Sequence, residues 1–284
     1  MFVIIGTVVV IASVIIGFTM AHGQLAVLIQ ISEFVTIGGA AIGSMLISAP
    51  VSTLKKILAE IIGSFSPKHY SKKDYMELLK SFNDLFLLAQ RDGLLAIEKH
   101  AENPDESEVL KTNEKFIKNT HAKTFFCDIM KVMLSGGIPP HELETLIDTE
   151  IEVFELENKS VPAILQKTAD ALPGLGIVAA VLGIIVTMGA INDGAAKVGQ
   201  HVAAALVGTF LGVLLSYGFF NPLATNIEHA IVGRVRFLHT IKACIVAYAK
   251  GNPPIVAVEI ARRTIYSDDR PTFQELENFI RGKG

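Results

Sequence analysis

ALPGLGIVAAVLGIIVTMGAIN, residues 171–192, and VGQHVAAALVGTFLGVLLSYGFFNPLATNI, residues 198–227, each run without an Asp, Glu, Lys or Arg. A helix rises about 1.5 Å per residue and the hydrocarbon core of a bilayer is ~30 Å thick, so about 20 apolar residues cross it. Two further charge-free runs, residues 2–20 and 34–54, precede them. The runs form two pairs and predict four transmembrane helices.

The 284-residue chain is 50% hydrophobic and 19% charged, with a mean hydropathy of +0.46, more apolar than a soluble protein of this size. Its net charge of −3 points to no nucleic-acid partner. No Lys or Arg precedes residues 2–20, and His22–Gln24 follows no A-x-A-like cleavage site. The first run therefore reads as a retained membrane helix rather than a signal peptide.

Lys and Arg concentrate in residues 55–167 and 234–283, with Lys197 alone between the last two runs. The positive-inside rule places these stretches and both termini in the cytoplasm, leaving short outer turns around Ala21–Gln24 and Asn192–Gly199. The expected fold is all-α: a four-transmembrane-helix integral membrane protein with a helical cytoplasmic domain inserted between helices 2 and 3. Its parts are residues 1–54 (helices 1 and 2), 55–168 (cytoplasmic domain), 169–227 (helices 3 and 4) and 228–284 (helix extension and tail). Cys127 and Cys244 fall in cytoplasmic stretches and are expected as reduced thiols.

Within the cytoplasmic domain Tyr75, Leu78, Leu79, Phe82, Leu85 and Phe86 recur at helical spacing, with Glu77, Lys80 and Asp84 on the wet side. Breaks are expected at Ser66-Pro67, at Asn103–Asp105 and at Gly136–Pro140. An acidic helix should then run from His141 to about Glu157, with Leu143, Leu146, Ile147 and Phe154 as its apolar side. Beyond Pro222, where a kink is expected, Ile227, Ile231, Val235, Leu238 and Ile245 carry the fourth helix to the terminator Gly251-Asn252-Pro253-Pro254. Thr272 and Glu275 have the spacing of a capping box.

Small residues form a stripe on each helix of the second pair: Pro173, Gly176, Ala180, Gly183 and Thr187 on the third, Ala205, Gly208, Thr209, Gly212 and Ser216 on the fourth. Such stripes admit another helix closely, to line one site or make one contact. Gly39 and Gly43 give a lesser example. No carboxylate is expected at mid-depth: Asp170 and Asp193 sit at helix ends, and Glu33 and His201 near outer ends. An ion path needs an ionisable group, so another chain would supply it, with Thr187, Thr209, Ser216 and Tyr217 as hydroxyl neighbours. His69, His100, His121 and His141 lack metal-ligand spacing and no phosphate-cradling glycine loop is present; no enzyme activity, metal or cofactor is expected.

The segments Pro173–Gly183 (PGLGIVAAVLG), Val207–Gly212 (VGTFLG) and Tyr217–Ala224 (YGFFNPLA) resemble the MotA family of flagellar stator subunits. So do Gly38-Gly39-Ala40, Gly93–Glu98, Glu102–Pro104, Pro253–Glu259 and Arg262-Arg263. The resemblance implies a homopentamer in the bacterial inner membrane around a dimer of a MotB-like subunit, whose aspartate carries the ion, with ion flow turned into torque on the rotor protein FliG. Pro173 and Pro222 match family prolines near the cytoplasmic helix ends, and Thr209 and Tyr217 match positions facing the partner aspartate and the pore. Sodium-driven relatives such as PomA tend to carry threonine where this chain has Ala180. A methyl cannot replace a hydration shell, which favours protons, and Thr187 lies two turns away. Glu98 matches a rotor-contact charge; Arg91 stands one residue from the family arginine, at Gln90. An ExbB/TolQ-type energiser and a non-conducting membrane scaffold are the alternatives.

Overall fold

The computed structural model describes residues 2–66, 69–189 and 191–282, and every regular element among them is helical. In chain order these are α1 (Phe2–Met20), α2 (Ile31–Ser48), α3 (Val51–Gly63), α4 (Lys72–Asp92), α5 (Glu98–Glu102), α6 (Glu114–Lys118), α7 (Thr120–Ser135), α8 (Pro140–Gly189), α9 (Ala195–Leu214), α10 (Asn221–Ala249), α11 (Pro254–Arg262) and α12 (Phe273–Ile280). Four stretches are long and apolar enough to cross a membrane: Phe2–Met20, Leu25–Ser48, Pro140–Gly189 and Ala195–Ala249. The chain divides into two units, Met1–Lys68 with Glu157–Ala230, and His69–Leu156 with Ile231–Gly284.

In the first unit α1 is apolar all round and buries no residue, which suits a helix solvated by lipid. The second run does not form one helix over 34–54. Helix α2 starts at Ile31 and ends at Ser48, because Ala49 is extended (φ −141°, ψ 143°) before Pro50, the conformation that a following proline ring imposes. The expected break at Ser66-Pro67 cannot be followed, as Pro67 lies outside the described residues.

The acidic helix and the third membrane helix are a single 50-residue helix, α8. Between Glu157 and Ala171 only Pro162 interrupts the backbone ladder, and no glycine stands there to stop it. An interior proline costs about 3 kcal/mol; burial of Val161, Leu165, Ala169 and Leu172 on one face offsets this. At Pro222 the chain widens rather than breaks. Leu215–Phe220 is a π-helical turn, and the Asn221 N–H donates to Ser216 O, five residues back. Pro222 has no N–H to give and its ring crowds the carbonyl four residues earlier, so one residue is accommodated as a bulge.

In the second unit Ser71 and Asp74 cap α4 reciprocally, and the stripe from Tyr75 to Phe86 is buried as its spacing indicates. Phe82 and Phe126 stack at 5.3 Å, with Phe116 edge-on to both. In the acidic part of α8 the buried residues are Leu143, Ile147 and Ile151; Leu146 is 40% exposed, so the apolar side runs in steps of four. Helix α10 ends where expected: Gly251 takes φ +86°, its N–H donates to Tyr248 O, and Asn252 N–H reaches Ala247 O, the paired bonds of a Schellman stop. Thr272 and Glu275 form the capping box.

His100 is buried and bonded to Ser107 Oγ at 2.8 Å, while Ser107 Oγ accepts the Leu110 N–H. Burial, then Lys99, pushes its imidazole below the ordinary 6.5. Burial, then Arg236 and Lys242, does the same at His239. On acidification the unfolded chain takes up these protons first, so stability is full above 6.5 and falls as pH drops toward the folded-state values. Paired carboxylates such as Glu259, held below 4.5 mainly by its bond from Arg262, act only at lower pH. The melting temperature of the purified chain is expected to fall between about pH 7 and 5.5, less so in His100→Gln; an unchanged slope in that variant contradicts the assignment.

Candidate functional site

The two small-residue stripes meet each other. A Cβ placed on Gly176 would lie 2.7 Å from Gly208 O and 3.2 Å from the Cα atoms of Thr209 and Gly212. One on Gly212 would lie 2.6 Å from Leu172 O and 2.9 Å from Gly176 Cα, and one on Gly183 2.8 Å from Ala205 Cβ. Helices α8 and α9 are thus in backbone contact along Leu172–Gly183 and Ala205–Gly212. Lipid tails supply no hydrophobic drive for helices to associate, so dispersion contacts at this range must hold the pair. Nothing lies within 4 Å of a Cβ on Gly39 or Gly43.

At this crossing the Ala180 nitrogen lies against the Gly208 position and Thr209 Cα against Gly176; Ala180, Thr209 and Pro173 are half-buried. Thr187 lies apart, 1% exposed, its hydroxyl donating to Gly183 O at 2.8 Å. Val202, Leu206, Phe210, Val213 and Tyr217 form an outward stripe on α9 and the π turn, continuous with the half-buried Thr209. Tyr217 is 66% exposed and Pro222 is exposed. Below them Gln166 Nε2 donates to Asn221 Oδ1 at 2.6 Å, tying α8 to the start of α10 at the bulge.

Glu33 is where the reading of the sequence and the structure part. It is only 6% exposed, and its Oε2 occupies the space that a side chain on Gly208 would fill, next to Ala179 Cβ and the Ala180 backbone nitrogen. Counted along the helices, that point is ~20 Å from Ala195 and ~14 Å from Gly189, so the carboxyl lies deep along the α8–α9 pair. Among the described residues no hydrogen-bond donor meets Oε2. The sequence carries no direct signal of this depth: Glu33 precedes the charge-free run, but α2 and the short turn Leu25–Leu28 before it enter alongside α9.

In the other unit Arg91 lies in the last turn of α4 and Glu98 opens α5, separated by Gly93 (φ +89°) and a short turn over Leu94–Ile97. Both side chains are exposed, as are Leu87, Leu94 and Leu95. Arg91 binds its neighbour Asp92 through Nη2 and Nε at 2.6 and 2.9 Å. The hydrogen bond from Arg91 holds the Asp92 carboxyl below its usual value.

Residues 4–93 match the family described as Motility protein A N-terminal, and residues 116–237 match the MotA/TolQ/ExbB proton channel family. Motility protein A of Salmonella typhimurium and that of Escherichia coli are each 35% identical over 281 residues, covering 99% of this chain and 95% of theirs. Chemotaxis protein LafT of Vibrio parahaemolyticus is 35% identical over 93% of each chain. Among solved structures the chain superposes on C. jejuni MotAB with a TM-score of 0.78 at 21% identity, over 95% of this chain and 98% of that one. For the flagellar MotAB stator complex of Bacillus subtilis the TM-score is 0.71 at 22% identity, over 90% and 92%.

Backbone contact at the crossing leaves no room for a methyl. Gly212→Ala is expected to force α8 and α9 apart at a cost of about 1–3 kcal/mol, lowering the melting temperature in detergent. Gly39→Ala, which meets open space in the chain, is expected to leave it unchanged or slightly raised.

Proposed function

The chain belongs to the motility protein A family and is a flagellar stator subunit, and from that premise we propose how it handles its ion. It is a multi-pass membrane protein. In our reading it sits in the bacterial inner membrane with both termini in the cytoplasm, five copies surround two helices of a MotB-like subunit, and that partner's aspartate carries the transported ion. The insert between helices 2 and 3 and the segment after Ala230 then face the rotor.

The observation that carries this reading is the outward stripe of α9, apolar except for Thr209 and Tyr217. A partner carboxyl approaching it meets a wall on which it is stable only when protonated, because an ionised acid against apolar surface without a counter-charge costs several kcal/mol. Protonation thus lets the partner helix move along the wall; ionisation returns it to water. Thr209 offers a hydroxyl to orient the acid, and Tyr217 offers a second further along. Ala180 brings a methyl where a dehydrated sodium ion needs oxygen, so protons are the ion. Pro173 loosens the ladder inside α8 and Pro222 at the start of α10, and the bulge at Leu215–Phe220 supplies a spare residue through which α9 can shift against α10.

Torque passes to FliG through Arg91 and Glu98. The Arg91–Asp92 pair is solvent-exposed and water screens it, so it exchanges readily for a carboxylate on another protein, and the exposed leucines between the two charges add apolar contact.

Swimming driven by this chain and its partner is expected to be indifferent to sodium and to stop with a protonophore; speed that follows sodium and survives the protonophore overturns proton coupling. Arg91→Glu is expected to impair swimming at normal membrane levels, with a reversed charge on FliG restoring part of it. Unaltered swimming in Arg91→Glu removes that residue from the rotor contact.

A further inference from the structure

We propose that Glu33 is a second proton-binding site of the stator, within this chain, beside the path served by the partner's acid. The inference rests on the stator reading above. Glu33 is 6% exposed, and its Oε2 is buried without a hydrogen-bond partner in the gap left by Gly208. The elements around it offer no counter-charge. Glu33 is the only ionisable residue of α2, the turn Leu25–Leu28 has none, and α8 has none from Ala171 to Gly189. Helix α9 carries only Lys197 and His201, of which His201 is nearer Gly208, two turns or ~10 Å along the helix.

Uncharged surroundings select the ligand. A metal cation needs several oxygens to replace its water, whereas the gap presents a methyl, an amide nitrogen and a glycine. A proton needs only the carboxyl. Buried against Gly208, Glu33 carries that proton, since a bare carboxylate would be left unpaired in an apolar site. The step is simple in balance: hydronium gives a proton to the Glu33 carboxylate and leaves water, and the resulting acid later gives it to the partner's carboxylate, with no other bond made or broken. Ala180 and Thr209 flank this point, so both carboxyls address one stretch of the α8–α9 pair.

The test uses the full complex of this chain with its acid-bearing partner in cells. Glu33→Gln keeps shape and hydrogen-bonding capacity but cannot bind the proton; Glu33→Asp keeps the acid. The expected result is loss of most proton leak and swimming in Glu33→Gln at normal membrane level and partner co-purification, with substantial recovery in Glu33→Asp. Infrared spectra of the purified complex should show a protonated-carboxyl C=O band that is absent from Glu33→Gln. Wild-type leak and speed in Glu33→Gln, or an unchanged infrared spectrum, overturns the proposal. Should Glu33→Gln fail to reach the membrane, Glu33→Ala decides: it removes the acid without adding a group to the α8–α9 contact, so lost leak and slowed swimming at normal level support the site and unaltered swimming overturns it. A wild-type complex that passes no protons refutes the stator's proton coupling instead.

Discussion

Backbone contact between α8 and α9 sets the geometry of the membrane unit. At Gly176 and Gly212 the helices approach until a carbonyl oxygen of one occupies the space of a side chain on the other. Dispersion falls steeply with distance, and a gap of ~1 Å forfeits up to half of each contact, so the pair is held only while all these positions stay bare. Everything proposed for the ion depends on that register: Ala180 stands beside Gly208, and Thr209 turns its edge outward.

The sequence disclosed the membrane spans well because their signal is one-dimensional: a charge-free run of sufficient length is enough. It disclosed the α4 stripe, the stop at Gly251 and the box at Thr272 for a similar reason, each being a local pattern with a local physical cause. Small-residue stripes are different. Residues such as Gly176 and Gly212 announce a close neighbour without naming it, and the stripes proved complementary to each other. The acidic helix, expected to end at about Glu157, instead continues into the third span, because lateral packing at Val161, Leu165 and Ala169 carries it through Pro162.

Glu33 was obscured by a third cause. It precedes its own charge-free run, so position along the sequence marks it as shallow, but depth is set by neighbours. Once α2 starts at Ile31 and lies along α9, a residue at the end of one helix falls beside the interior of another. Arg91 and Glu98 are exposed charges, which take their meaning from a partner, and the neighbouring Asp92 shows that Arg91 is easily paired.

The same absent methyl at Gly208 serves two requirements that pull in different directions. Close helix packing in lipid favours small apolar residues and excludes polar ones, since an unsatisfied polar atom there costs several kcal/mol. An ion path requires a titratable group in that same medium. A glycine reconciles them: it allows α8 to close on α9 and leaves on its other side a space that Glu33 reaches from α2. A larger residue at 208 would fill that space and press on Ala179 and Ala180 as well, so packing and proton chemistry cannot be altered independently at this point of the chain.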